Sequence, residues 1–323
     1  MIKAINYYRL ISCSSVTPKQ PKGGTEILVE TLRQNLDFTG INLIVSVCKP
    51  ELIVPGKKNI LLQELSYDQE NVQGMRSPSF VDAIDCFIYD SHWCYEKFRE
   101  KLNTPPWKST VIKNATTSFE VKPKPKEKLK LIYTSTPWRG LHVLLRAFQI
   151  LNRNDIELDV YSSTTIYGPA FAKSVEGKFD SLFENLRNTP GINVMGYASN
   201  DKIRAALQDA HIFAYPSVFE ETSCISAIEA MCAGCQAVVT NYGALFETCG
   251  EYAEFVTYDN NHERLAHNYA KVLSRVIDNY WYPGNQAILT EQTTFYNKNW
   301  TWQKRLSQWQ QLLKKIKTNQ DVF

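Results

Sequence analysis

The stretch HIFAYPSVFEETSCISAIEAMCAG, residues 211–234, decides the fold. Four apolar residues after His211 predict a short buried strand, and a polar loop with two glutamates follows it. The rest predicts a helix that is apolar on nearly every side and that ends at Gly234. A buried strand, a loop and a buried helix in succession are typical of a parallel α/β sheet.

Glu229 is the unusual residue of this predicted helix, because only it and Ser226 are polar between Cys224 and Ala233. A carboxylate in a buried helix needs hydrogen-bond partners, since an unpaired buried charge is costly. Two interpretations stay open. Glu229 forms a structural salt bridge with a lysine or arginine of another element, or it faces a cleft and binds the hydroxyl groups of a ligand.

The loop before the helix favours a ligand. Glu221 lies at the carboxyl end of the predicted strand, where doubly wound sheets bind their ligands. The backbone amides of Ser223, Cys224 and Ile225 open the positive end of the helix, with Thr222 or Ser223 as the predicted cap. Two carboxylates eight positions apart, with amide donors between them, suit a phosphate group held between two sugars. The pattern therefore indicates a nucleotide sugar.

Strands and helices alternate on both sides of a segment rich in proline and lysine, Val121–Lys130, which predicts a linker. We predict a Rossmann-like N-terminal domain over 1–122, a linker over 123–128, a Rossmann-like C-terminal domain over 129–290 and a terminal helical segment over 291–323. The fold class is α/β. The predicted strands are Ile2–Tyr8, Asn42–Val47, Asn59–Leu62, Cys86–Tyr89, Thr110–Ile112, Leu129–Thr134, Ile156–Ser162, Ile192–Met195, His211–Tyr215 and Ala237–Thr240.

Composition excludes several classes of protein. The chain has 323 residues, 44% of them hydrophobic, and a net charge of +3, which implies neither a disordered chain nor a nucleic-acid partner. Eight scattered cysteines suit reduced thiols, and Cys232-Ala-Gly-Cys235 lacks the further ligands of a zinc site, so we predict no metal. Because about 18 apolar residues nowhere run together, we expect a cytoplasmic protein.

The predicted first helix follows Lys22-Gly23-Gly24-Thr25-Glu26. Gly23 and Gly24 would let backbone approach an anionic ligand closely at the helix N-terminus, although the same pair also suits a plain turn. Neither G-x-G-x-x-G nor G-x-x-x-x-G-K-[ST] occurs, which excludes a dinucleotide-binding dehydrogenase and a P-loop enzyme.

Residues 216–240, PSVFEETSCISAIEAMCAGCQAVVT, resemble the E-x7-E region of the retaining GT-B glycosyltransferases of family four, with Glu221 and Glu229 as its two glutamates. GGTE at 23–26, Val111–Asn114, Arg139–Phe148 and GALFE at 243–247 are also similar to the family, so the resemblance spans most of the chain. It implies two doubly wound Rossmann-like domains that face each other across a cleft, the first on the acceptor side and the second binding the nucleotide sugar. The terminal helix would cross back to the first domain.

The resemblance also implies the chemistry. Glu221 would bind the hydroxyls of the donor sugar, and Arg139 would bind the diphosphate and act with Glu221 in catalysis. The family transfers a sugar with retention, by a front-face mechanism and without a metal ion. No cofactor is expected, since a nucleotide-diphosphate sugar is the co-substrate; Glu229 would meet its ribose, and Gly23 and Gly24 its diphosphate. The implied donor-binding residues are Gly23, Gly24, Arg139, Glu221, Ser223, Cys224, Ile225 and Glu229.

The sequence departs from the family in three places. Tyr133-Thr-Ser135 stands where an arginine is usual, Gln63-Glu64-Leu65 where a histidine is expected, and Cys224 where glycine is common. His92 opens a predicted helix, where we expect a surface or capping residue rather than a ligand. These departures keep open a second class of function, a non-catalytic protein that binds nucleotide sugars or glycans.

The expected partners are a nucleotide-sugar donor and a glycan or glycolipid acceptor. Lysines at the end of the chain suggest contact with the inner face of a membrane, although a solvated helix end explains them equally well.

Overall fold

The computed structural model describes residues 23–165, 169–318 and 320. The predicted strand Ile2–Tyr8, together with Cys13 and Lys22, lies outside the described residues. Within the described ranges, no helix combines the length and apolar character needed to span a bilayer.

The N-terminal sheet has four parallel strands in the order β1-β2-β3-β4. Buried side chains cover both of its faces: Leu28 and Leu32 of one helix lie on the first, and Phe80 and Phe98 of two others lie on the second. Its elements are α1 (Gly24–Asn35), β1 (Ile41–Val45), β2 (Lys58–Gln63), α2 (Pro78–Ala83), β3 (Cys86–Tyr89), α3 (His92–Leu102) and β4 (Ser109–Val111).

The C-terminal sheet has six parallel strands in the order β10-β9-β8-β5-β6-β7, the doubly wound order with a switch point between β5 and β8. Its strands are β5 (Leu129–Tyr133), β6 (Ile156–Val160), β7 (Ile192–Val194), β8 (Ile212–Tyr215), β9 (Gln236–Thr240) and β10 (Glu254–Val256). Its helices are α4 (Leu141–Leu151), α5 (Pro169–Ser174), α6 (Asp180–Arg187), α7 (Asn200–Asp209), α8 (Ile225–Cys232), α9 (Leu245–Cys249), α10 (His262–Asn279) and α11 (Pro283–Asn299).

The last helix, α12 (Trp302–Lys317), returns to the N-terminal sheet. Its Trp309 and Ile316 are buried in the same cluster as Ile60 of β2 and Ile88 of β3. Where the chain passes between the sheets in each direction, the backbone of Thr116 pairs with that of Trp300 and Trp302. Burial of this apolar stripe stabilises both halves together.

The predicted α/β class is confirmed, and each predicted strand within the described ranges overlaps an observed one. One observed strand differs from the prediction. The strand β10 was not predicted from the sequence; of its three residues only Val256 is buried. The domain boundaries stay a prediction.

Hydrogen bonds from Lys124 connect the predicted linker to the C-terminal domain. The ammonium group of Lys124 donates to the carbonyls of Leu207, Gln208 and Ala233 at 3.0, 3.0 and 2.8 Å. This lysine therefore satisfies the ends of α7 and α8.

Candidate active site

A cleft of about 240 Å³ lies between the two sheets, at the carboxyl ends of their strands. On the C-terminal side it opens beside the switch point, since Thr134 follows β5 and Tyr215 ends β8. On the N-terminal side Glu64 follows β2 and Asp90 follows β3. The fold thus brings the ligand-binding edges of both sheets to one cavity.

Arg139 and Glu221 meet at the switch point. Arg139 follows β5 and Glu221 follows β8, and Arg139 Nη1 donates to both carboxylate oxygens at 2.7 and 2.8 Å. Tyr215 donates its hydroxyl to the same carboxylate at 2.5 Å, and the Arg139 guanidinium also lies 4.3 Å from the centre of the Phe219 ring. Glu221 is only 3% exposed, so its charge depends on these partners.

Gly140 sets this geometry. Its φ of +114° is unfavourable for other residues, and a Cβ built on it would lie 2.1 Å from the carbonyl oxygen of Pro216. The turn after β5 can therefore lie directly against the loop that carries Glu221.

The N-terminus of α8 has no side-chain cap, and the prediction that Thr222 or Ser223 caps it is wrong. Thr222 instead donates its hydroxyl to the carbonyl of Glu64 at 3.3 Å, and its own carbonyl accepts from Ser91 at 2.5 Å. Groups of the other domain thus hold the residue that would cap the helix. The uncapped amides face the cleft, where the helix dipole favours an anion.

A second uncapped helix N-terminus meets the first. Gly23 is the N-cap of α1, and Gly24 packs so closely on Ile225 that a Cβ on Gly24 would lie 2.6 Å from Ile225 Cδ1. Cys224, where glycine is common in the similar family, has extended backbone angles that suit any residue. The predicted residues Gly23, Gly24, Arg139, Glu221, Ser223, Cys224 and Ile225 all line this one cleft.

Glu229 does not line the cleft. Its carboxylate accepts from Arg204 Nη1 at 3.0 Å and from the Thr116 hydroxyl at 3.1 Å, and Arg204 also donates to the carbonyls of Thr117 and Ser118. Burial raises the pKa of Glu229, and Arg204 and Thr116 oppose this rise. The structural salt bridge left open by the sequence is therefore present, one turn beyond the cleft residue Ser226.

Buried polar atoms without hydrogen-bond partners gather in the cleft. Native proteins leave few such atoms, and a group of them in one cavity points to a polar ligand. On the C-terminal side they are the hydroxyls of Thr134, Thr136 and Ser223, and on the N-terminal side Glu26 Oε2, Glu64 Oε1, the Ser66 hydroxyl and Asp90 Oδ1.

The sequence did not single out Glu64 and Asp90 as site residues. Their only signal was position, because each directly follows a buried strand. Burial raises the pKa of Glu64 well above its ordinary range, and the neighbouring charge of Asp90 adds to this rise. Burial also raises the pKa of Asp90, to about 7.

His92 does not cap α3, because Ser91 does so by accepting from the backbone amide of Cys94. His92 Nδ1 instead lies 2.8 Å from Glu247 Oε1, which also accepts from Lys113 at 2.8 Å. Although burial acts to raise it, these donors and the Trp93 amide hold the pKa of Glu247 at about 2. Glu247 thus joins α9 to the N-terminal domain.

Cys232 and Cys235 are packing residues in the described structure. Both are fully buried, and the Cys235 thiol lies 3.2 and 3.3 Å from the carbonyls of Leu207 and Ala210. In the part of the chain that the structure describes, no three or more His, Cys, Asp and Glu residues converge on a point that could hold a metal ion.

Sequence comparison identifies a family. The model for glycosyl transferases group 1 matches residues 114–279, which include the Arg139–Glu221 pair and α8. No curated protein sequence matches the chain significantly.

Structural comparison identifies the architecture. The glycosyltransferase from Rickettsia africae ESF-5 has a TM-score of 0.67 at 15% identity, covering 95% of this chain and 84% of that one. Anabaena Alr3699/HepE in complex with UDP-glucose has a TM-score of 0.64 at 14% identity, covering 90% and 81%. The pneumococcal O-GlcNAc transferase GtfA in complex with UDP and GlcNAc gives 0.65 at 11%, covering 91% and 60%. At these identities the similarity shows the fold, and the expected GT-B architecture is confirmed.

Proposed function

The chain belongs to the group 1 glycosyl transferases, and from this premise we propose that it is a retaining hexosyltransferase. It moves a sugar from a nucleotide-diphosphate donor to a hydroxyl of a glycan or glycolipid acceptor. One observation carries the proposal: two uncapped helix N-termini, the Arg139–Glu221 pair and a group of unpartnered buried polar atoms meet in one cleft.

The diphosphate fits the positive side of this cleft. The amides that open α8 and the guanidinium of Arg139 would stabilise the negative charge that grows on the leaving diphosphate. Gly23 and Gly24 would bring the backbone of α1 to the same group from the opposite domain. Arg139 is paired with Glu221 in the structure. On donor binding, this contact would be replaced: Arg139 would bind phosphate, and Glu221 would bind hydroxyls of the sugar.

The nucleoside part of the donor fits the other end of the cleft. Gly196, Tyr197 and Ala198 line the cleft after β7 and would hold the base. Uridine is the first candidate, since HepE was solved with UDP-glucose and GtfA with UDP. Glu229 would bind the ribose only after loosening its contact with Arg204.

The mechanism needs no protein base, because the leaving diphosphate accepts the proton of the acceptor hydroxyl in a front-face reaction. The protein contributes orientation of two substrates and fixed positive charge. We propose that no metal ion takes part, as in the family that the sequence resembles. Glycan biosynthesis at the cytoplasmic side of a membrane is the proposed setting, with Lys314 and Lys315 on the exposed end of α12 as the proposed membrane contact.

Thermal denaturation with UDP, GDP, ADP, dTDP and CMP tests donor binding. A nucleotide at a hundred times its dissociation constant adds about 2.7 kcal/mol to the free energy of unfolding. We expect one nucleotide to raise Tm in the wild type, and Arg139→Ala to blunt this response. If none of the five raises Tm at millimolar concentration, the proposal is wrong.

The alternative is a non-catalytic binding protein on the same fold, and the contact of Arg139 with Glu221 favours it. A measurement of turnover distinguishes this alternative from the enzyme. We expect the nucleotide diphosphate to be released continuously from a donor sugar, with or without EDTA, and much more slowly by Glu221→Ala. Equal rates in the two proteins would support the binding protein.

A further inference from the structure

Arg139 is the only basic side chain among the described residues that line the cleft. Under the function proposed above, Arg139 binds the phosphate groups of the donor, so Glu221 loses its cation when the donor binds. Because Glu221 is almost fully buried, water replaces this cation poorly. A buried carboxylate that stays ionised needs another hydrogen-bond donor from the protein.

The hydroxyl of Tyr215, at the end of β8, is the second group that contacts the Glu221 carboxylate. It donates to Oε1 at 2.5 Å. Since a tyrosine hydroxyl has one proton, Ser135 must be the donor in its contact of 3.4 Å with Tyr215. Burial raises the pKa of Tyr215 well above its ordinary value, and the charge of Glu221 adds to this rise. Tyr215 therefore keeps its proton and remains a donor to Glu221 at neutral pH.

Packing fixes the position of this hydroxyl. The centre of the Tyr215 ring lies 5.7 Å from that of Tyr133 and 5.5 Å from that of Phe213, and all three side chains are fully buried. The hydroxyl of Tyr133 is itself held, because it donates to the Thr136 carbonyl at 2.8 Å. A ring in such close packing has little room to move, so its hydroxyl keeps one location.

The backbone of Glu221 is fixed as well. Its carbonyl accepts from the amide of Ala244 at 2.7 Å. Gly243 lies so close that a Cβ built on it would be 2.5 Å from the amide nitrogen of Glu221. With the backbone and Oε1 both held, Oε2 is the carboxylate oxygen that becomes available to a ligand when Arg139 moves to phosphate.

The hydroxyl of Ser135 belongs to the segment Tyr133-Thr-Ser135, which stands where the similar family usually has an arginine. In this chain the segment supplies a neutral donor behind Tyr215 instead of a second cation in the cleft. The three side chains Ser135, Tyr215 and Glu221 thus form one chain of hydrogen bonds that ends at the cleft.

We propose that Tyr215, supported by Ser135, is a positioning residue that holds Glu221 when the donor displaces Arg139, and that it thereby fixes which oxygen binds the donor sugar. The proposal rests on the function proposed above, and it concerns the sugar of the donor rather than the nucleotide. Tyr215 acts through Glu221 Oε1, which leaves Oε2 to accept from a hydroxyl of the sugar.

The variant Tyr215→Phe tests this role, because it removes the hydroxyl and keeps the ring. Calorimetric titration measures Kd for the nucleoside diphosphate that raises Tm in the wild type, and for the glucose, galactose and N-acetylglucosamine esters of that nucleotide. We expect the Kd of the nucleotide to stay within about twofold. The Kd of the tightest ester should rise at least about tenfold, or about 1.4 kcal/mol, and nucleotide release from it should slow by a similar factor.

Two comparisons separate positioning from a loss of stability. In the Glu221→Gln background, Tyr215→Phe should change the Kd of the ester less than about twofold, because the carboxylate through which it acts is gone. Tyr296→Phe is the matched control: it removes another buried hydroxyl, which donates to the Thr248 carbonyl at 2.7 Å, and Tyr296 is not among the described residues of the cleft. It should leave both Kd values unchanged.

The nucleotide-induced Tm shift shows whether each variant folds. If Tyr215→Phe does not fold, Ser135→Ala takes its place, since it removes the donor to Tyr215 and should weaken the ester selectively in the same direction.

Three outcomes overturn the inference: the nucleotide and its esters weaken by the same factor in Tyr215→Phe, neither weakens, or the ester weakens as much in the Glu221→Gln background as in the wild type. In all three the wild type still binds the nucleotide, so the donor proposal stands. A wild type that no nucleotide stabilises, or that binds none of the esters, contradicts the donor proposal itself.

Discussion

Arg139 Nη1 lies 2.7 and 2.8 Å from the two carboxylate oxygens of Glu221, and these residues follow the strands that flank the switch point. Each residue partly neutralises the other, and Glu221 is almost fully buried. Both side chains line the cleft. Under the proposed function, the phosphate and hydroxyl groups of a donor would replace the two sides of this contact.

The first prediction concerns this ion pair. Arg139→Ala should lower the free energy of unfolding by about 3 kcal/mol, because it leaves the Glu221 carboxylate buried without its cation. Adding Glu221→Gln should restore part of the loss, since the charge is then removed. Urea unfolding of the wild type, both single variants and the double variant gives the coupling energy. Additive effects would contradict a direct interaction.

The second prediction concerns the glycine that follows Arg139. Gly140→Ala should destabilise by about 3 kcal/mol or more, because a positive φ and contact with a backbone carbonyl act together. Gly196→Ala is the matched control: its φ is +68°, nothing lies within 4 Å of the added Cβ, and the cost should be about 1 kcal/mol. Equal losses in chemical denaturation would show that the Pro216 contact is unimportant.

The third prediction separates two roles of Glu229. If it binds ribose, Glu229→Gln should weaken nucleotide binding about tenfold, or 1.4 kcal/mol, in calorimetric titration. Arg204→Gln removes the same salt bridge from the other side and should leave nucleotide affinity nearly unchanged. Similar nucleotide affinity in both variants and the wild type, with similar losses of stability, would restrict Glu229 to joining α7, α8 and the segment at Thr116.

The sequence predicted those features of the site that depend on residues close together in the chain. Glu221 could be placed at a strand end, and Gly234 was correctly predicted to follow α8, with a φ of +80°. The contact between Arg139 and Glu221 joins residues 82 positions apart and depends on β5 lying beside β8, which local patterns do not specify. The cap of α8 was mispredicted because Thr222 bonds across the cleft.

The same limit explains why Glu64 and Asp90 were not predicted as residues of the cleft. Glu64 and Asp90 approach each other because β2 and β3 are neighbours, and they share a cleft with Arg139 and Glu221 because the two domains meet there. Glu64 was noted only as a departure from the expected histidine. Side chains that act together from different strands carry no common spacing in sequence, so a single chain gives little sign of them.

The fourth prediction uses pH and compares two carboxyl groups with opposite shifts. The pKa of Asp90 rises from 3.8 to about 7, so its folded form favours the proton and loses relative stability as pH rises from about 4 through 7. Asp90→Asn should therefore gain stability relative to the wild type over this range. Burial is the largest cause of this rise in the pKa of Asp90 and the charge of Glu247 adds to it, whereas hydrogen bonds with Thr222 and Cys94 oppose it.

Glu247 should behave in the opposite way. Its pKa falls from 4.5 to about 2, so its contribution is present above about 4.5 and is lost as pH falls through 2. Glu247→Gln should therefore be most destabilising near neutral pH, where Lys113 and the Trp93 amide lose their charged acceptor. Urea unfolding of both variants and the wild type between pH 3 and 8 measures the two slopes. Slopes of the same sign would mean that Asp90 is ionised at the floor of the cleft throughout, and that its unpartnered oxygen belongs to a full negative charge.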